Sequence, residues 1–150
     1  MNPGRPASIR LTDLADPRYP ESVTPLRQGL AAYGAGLQLD PASLMQAAAD
    51  RTGLNTWGDN GFRDRLDLLC TALRDEAGLS DVGVAVAFEQ LVQHLVNRLR
   101  LEDLPARHPE IADIPIERPI IICGLPRTGT THLHNLIAAD PAIRYLPYWE

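Results

Sequence analysis

With 150 residues, 45% of them hydrophobic, the chain has the size of one ordinary domain and is too apolar for a disordered one. Aromatics make up only 5%, so aliphatic side chains must fill the core. The formal charge of −5 argues against a general nucleic-acid binder, which carries a basic excess. That charge is uneven: from Arg118 onward three Arg face Asp140 and Glu150, a net of +1, which leaves −6 on residues 1–117. An anionic ligand is therefore expected at the C-terminal end.

The start, Met1-Asn-Pro-Gly-Arg-Pro, lacks the apolar core of a signal peptide. No apolar stretch approaches the roughly 20 residues that span a bilayer, so a cytoplasmic protein is expected. Cys70 lies in a helical apolar pattern and Cys123 in a strand-like run; both are expected to be buried free thiols.

Residues 1–39 are rich in Pro and Gly and read as an irregular arm, with Leu26, Leu30 and Tyr33 spaced for one short helix before Gly34. Asp40-Pro41 is a helix start, an N-cap acid followed by Pro in the first helical position, and Gly53 is its stop. Leu44, Ala47 and Ala48 give that helix its apolar side. Trp57-Gly-Asp-Asn-Gly is a turn. Phe62, Leu66, Leu69 and Leu73 then form one apolar stripe of a helix over 62–76, ended by Gly78. Ser80 caps a long helix over about 81–104, with Val84, Phe88, Leu91, Leu95 and Leu99 at helical spacing; Arg98, Arg100, Arg107 and His108 suit the negative end of its dipole. Residues 40–117 are thus a helical region and a Pro-punctuated linker.

Residues 118–150 carry the chemistry. Arg118-Pro-Ile-Ile-Ile-Cys123 is a continuous apolar run, the pattern of a strand buried on both faces of a parallel sheet. A glycine loop follows over 124–129, then a helix over 130–139 with Leu133, Leu136 and Ile137 expected to face a core. The fold class expected is therefore α/β: a P-loop-type strand-loop-helix beginning a parallel sheet, preceded by a mainly α-helical region, with the sheet incomplete in this chain. Loop N–H groups, the first N–H groups of the helix and its dipole make a site for a phosphate. Glycines let the backbone approach the ligand, and Thr hydroxyls add donors. The sequence departs from a P-loop in one respect: Thr130 stands where the lysine belongs, and the positive charge is Arg127, inside the loop. A nucleotide triphosphatase needs that lysine against its β- and γ-phosphates.

Pro126-Arg127-Thr128-Gly129-Thr130-Thr131 resembles the 5′-phosphosulfate-binding loop of the sulfotransferase family, Pro-[Lys/Arg]-[Ser/Thr]-Gly-[Ser/Thr]-Thr. The Arg form and the trailing Leu-x-x-Leu-Ile-x-x-x-Pro of residues 133–141 are similar to bacterial and tyrosylprotein sulfotransferases. The helical preamble, including Asn97-Arg98-Leu99-Arg100 and Arg107-His108-Pro109-Glu110, is a softer match to large bacterial members. The resemblance implies a sulfuryl transfer from 3′-phosphoadenosine 5′-phosphosulfate to a hydroxyl or amine on a small-molecule, lipid or glycan acceptor. Pro126, Arg127, Thr128, Gly129, Thr130 and Thr131 would bind the cofactor, and Arg127 would stabilise charge developing on the departing 5′-phosphate. It also implies that these 150 residues alone do not make a competent enzyme, because family catalytic domains are much longer.

A general base is harder to place. Tyrosylprotein sulfotransferases use a glutamate soon after this helix, and Trp149-Glu150 resembles a pair found in many bacterial members, so Glu150 is the candidate, although its spacing from Pro141 does not match cleanly. His132 and His134 point about 200° apart on a helix and do not share a metal ion; no metal is expected, while His134, one turn after Thr130, is placed to face a ligand. Two other readings stand: a P-loop nucleotide-binding or kinase-like protein with a degenerate loop, and an inactive remnant acting as a helical interaction module.

Overall fold

Five helices account for nearly all the regular structure of the computed structural model, which describes residues 12, 17–125 and 127–147. They are α1 (Thr24–Ala35), α2 (Pro41–Thr52), α3 (Phe62–Asp75), α4 (Asp81–Arg107) and α5 (Thr130–Ala138), with 3-10 turns at Glu21–Val23 and Pro109–Asp113. The chain divides into two units, Met1–Ile111 and Ala112–Glu150. No described helix is long and apolar enough to cross a membrane.

In the first unit the caps follow the sequence closely. Asp40 accepts from the Ala42 and Ser43 N–H groups at 3.0 Å, and Pro41 opens α2. Those bonds stabilise the ionised side chain and, with Ser43 as the main cause, hold the Asp40 carboxyl below its ordinary range. Gly53 closes α2 in the left-handed region at φ 69°. The Ser80 hydroxyl accepts from Gly83 N–H at 3.2 Å and opens α4. Helix α4 continues past the expected end at 104 to Arg107, with Pro105 inside its last turn.

Both α1 and α2 pack on α4, and α3 packs on α2. The core runs through Leu39, Leu44, Ala48, Trp57, Leu66, Cys70, Phe88, Val92, Leu95, Val96 and Leu99. Leu44 and Leu99 are fully buried, each worth roughly 1.5–3 kcal/mol relative to exposure. Two apolar stripes sit differently from their sequence reading. On α3 the inward row is Phe62, Leu66, Cys70 and Leu73, whereas Leu69 is 43% exposed. On α1 Leu26 is exposed and the buried contact is Gly34. A Cβ built on Gly34 would fall 1.8 Å from the Asp81 carbonyl oxygen, so glycine alone permits this approach of α1 to the start of α4.

Polar ties join elements distant in sequence. Arg51 forks onto Glu89 with two 2.9 Å hydrogen bonds, and the Tyr33 hydroxyl donates to Glu89 at 2.6 Å, linking α1, α2 and α4. Arg51 first, and Tyr33 second, hold the Glu89 carboxyl below its usual range. Arg98 is not a dipole partner: its guanidinium donates to the Trp57 and Asp59 carbonyls at 2.7 Å and lies over the Phe62 ring, fastening the 57–61 turn. Burial pushes the Cys70 thiol up, which keeps it unreactive.

The second unit corrects the expected α/β class. Among the described residues there is no strand and no sheet, and the described fold is all-helical. The anticipated strand at 118–123 opens on Arg118 at φ 49°, a left-handed value outside the extended range, followed by Pro119, which has no N–H to pair. Beyond it Ile120 and Ile121 are 61% and 77% exposed, and no described segment pairs with them. An apolar run becomes a buried strand only when neighbours occupy its edges and faces, and none is described. Cys123 is therefore exposed rather than buried. For the same reason Leu133 and Leu136 are exposed instead of facing a core.

Candidate functional site

The loop between residue 123 and α5 is shaped by its glycines and threonines. A Cβ built on Gly124 would lie 2.8 Å from both Thr128 Oγ1 and Thr130 Cγ2, so these two side chains fold over Gly124 and would have to shift to admit a larger residue. The Thr128 hydroxyl donates to the Leu125 carbonyl at 2.7 Å and closes the turn from inside. Arg127 at φ 66° and Gly129 at φ 90° are both left-handed, and Gly129 is the N-cap of α5. A left-handed arginine is strained relative to glycine; here it falls on the one cation in the loop. No side chain caps α5, whose first intrahelical bond runs from Leu133 N–H to the Gly129 carbonyl at 3.0 Å. The first-turn N–H groups, at residues 130–132, precede that bond and point out of the helix start.

An open groove of about 520 Å³ runs along α5 from this loop. One wall is polar: Thr130, Thr131, His134 and Asn135, two adjacent rows one helical turn apart. The other is apolar: Ile122, Tyr145, Leu146 and Pro147. The His134 ring meets the Tyr145 ring edge to face, with centroids 6.0 Å apart. His132 does not line the groove, as its angular separation from His134 requires. No cluster of metal-ligating side chains occurs among the described residues.

Of the residues singled out from sequence, Arg127, Thr128, Gly129, Thr130 and Thr131 lie in one continuous turn at the start of α5. Pro126 and Glu150 lie outside the described residues. Asn135, Ile122, Tyr145 and Leu146 were not legible as groove residues. The spacing of Thr131 and Asn135 carries a helical signal for the first; nothing local marks the others.

Residues 119–150 match the sulfotransferase family model. No curated protein matches the chain. Among solved structures it is similar to the sulfotransferase STF9 from Mycobacterium avium, at 32% sequence identity and a TM-score of 0.65. That likeness covers 74% of this chain, more than the second unit can account for, so it extends into the helices. It spans only 28% of the length of STF9. The family match falls on the loop and α5, and the structural likeness to STF9 carries the resemblance to a sulfotransferase into the helical framework.

Proposed function

We propose that this chain carries the 5′-phosphosulfate-binding loop of a sulfotransferase that moves a sulfuryl group from 3′-phosphoadenosine 5′-phosphosulfate to a hydroxyl or amine acceptor. The observation that carries this reading is the turn itself: left-handed Arg127 and Gly129 lead into the uncapped N-terminus of α5, with the loop's arginine two residues before the N-cap. The fit to a phosphate is supported by Gly124, where a Cβ would collide with the threonines that fold over it.

Each residue then has a task. The N–H groups of residues 128–131 and the helix dipole hold the 5′-phosphate. The Thr130 and Thr131 hydroxyls, both in the groove, donate to it. Thr128 contributes its N–H alone, because its hydroxyl is engaged by Leu125. Arg127 stabilises the charge that gathers on the departing phosphate, a preorganised donor in the sense that matters for catalysis. When bound, the cofactor supplies the activated sulfur and the phosphate leaving group. The acceptor, a small molecule, lipid or glycan, must reach that sulfur from the groove side. A kinase-like reaction is disfavoured by Thr130 in the position of the P-loop lysine.

Transfer of labelled sulfuryl from the cofactor to a panel of phenols, aliphatic alcohols, lipids and amines tests the proposal. Product with at least one class, abolished by excess adenosine 3′,5′-bisphosphate, is expected. Failure with every class, together with no binding of the bisphosphate, would refute it.

A further inference from the structure

The sulfuryl acceptor must lose a proton, and the glutamate expected for that task lies outside the described residues. The groove offers another group. We propose that His134 takes the proton of the acceptor, and that the groove it faces accepts an alcohol or phenol carried on an apolar body; this rests on the loop reading above.

Three observations converge on His134. It shares a face of α5 with Thr130, one turn away, and both line the same groove, so a molecule in that groove meets the start of α5 and the imidazole together. Its ring is held from the far wall by the edge-to-face contact with Tyr145. Its Nδ1 lies 3.5 Å from Asn135 Oδ1, the outer limit of a hydrogen bond; an Nδ1–H directed there leaves Nε2 as the basic nitrogen. Among the described lining residues no carboxylate, lysine or arginine is present, and the only titratable types are His134 and Tyr145. Of these two, only the neutral imidazole offers a ring-nitrogen lone pair as proton acceptor. The opposite wall, Ile122, Leu146 and Pro147, favours an apolar body over a polyhydroxylated one.

The acceptor O–H bond breaks and its proton passes to His134 Nε2. The acceptor oxygen forms a bond to sulfur, and the bond from sulfur to the bridging oxygen breaks. That electron pair leaves on the 5′-phosphate beside Arg127, giving the sulfate ester and adenosine 3′,5′-bisphosphate.

The test uses the full-length protein, with adenosine 3′,5′-bisphosphate as the binding probe and the phenol and alcohol panel as acceptors. Histidine resonances are assigned by His134→Gln and followed as the bisphosphate is added, with calorimetry alongside. The proposal expects the His134 resonances to move and bisphosphate affinity in His134→Ala to stay within about twofold. It also expects kcat to fall by about 10²–10⁴-fold, the usual effect of losing a general base, with partial rescue by free imidazole. Bound bisphosphate with unmoved His134 resonances, or near-normal turnover in both His134 variants, overturns the proposal but leaves the loop reading standing. A 10²-fold loss in Glu150→Gln beside active His134 variants overturns it in favour of the glutamate. Absence of bisphosphate binding sinks the loop reading and this inference together.

Discussion

The two units treat their apolar residues in opposite ways. In the helical unit Leu44, Val92 and Leu99 are sealed from solvent, and caps at Asp40 and Ser80 fix where helices begin. In the unit that carries the loop no described residue is fully buried, and Ile121, Leu125 and Leu136 lie open. Stability in the first therefore comes from packing. Order in the second comes from local bonds: Thr128 to Leu125, the α5 ladder and the glycine geometry at 124 and 129. Substitutions in one unit should read out as stability and in the other as ligand binding.

The largest contrast is expected between two leucines. Leu99→Ala removes a fully buried side chain and should cost about 2–5 kcal/mol, whereas Leu136→Ala, at a residue 60% exposed, should change stability by no more than about 0.5 kcal/mol. Urea denaturation of both variants checks this; equal effects would erase the distinction between the units. Arg127→Ala comes next and is its mirror image. Loss of a charge-assisted hydrogen bond costs about 1.5–3 kcal/mol, or roughly 10–150-fold in affinity for adenosine 3′,5′-bisphosphate, with helical circular dichroism unchanged.

Gly34→Ala sharpens the packing side. Its Cβ would meet the Asp81 backbone, so α1 must move off α4, at about 1–3 kcal/mol; a thermal midpoint equal to wild type would show that the approach is not required. The smallest effect belongs to Glu89. Its carboxyl is held below the ordinary range, so its contribution is present above the unfolded carboxylate pKa and is lost as pH falls through the folded value. Because both partners are about two-fifths exposed, the ion pair is worth no more than about 1 kcal/mol. Stability measured between pH 7 and pH 3 should fall less in Glu89→Gln than in wild type.

Much of the helical unit was legible in the sequence because caps are local. Asp40-Pro41, Gly53 and Ser80 need only their neighbours to act, and the structure uses all three. Faces were less legible. Leu66 and Leu69 both satisfy helical spacing, and only the packing of α3 on α2 selects Leu66 with Cys70 over Leu69. Ties across long separations, such as Arg51 to Glu89 and Arg98 to Trp57, leave no periodic trace. The apolar run at 120–123 misled for a related reason: hydrophobicity names a residue's preference, not whether a partner is present. The loop was legible because its signal is a contiguous run of residue types, inside the stretch that matches the family model, and Arg127 within it marked the departure from a P-loop.

Calorimetric titration with adenosine 3′,5′-bisphosphate in the absence of magnesium, set against ATP with magnesium, tests the central claim most directly. The account predicts that the bisphosphate binds without the metal and that Arg127→Ala weakens it by the factor given above. Magnesium-dependent ATP binding with no response to the bisphosphate would contradict it.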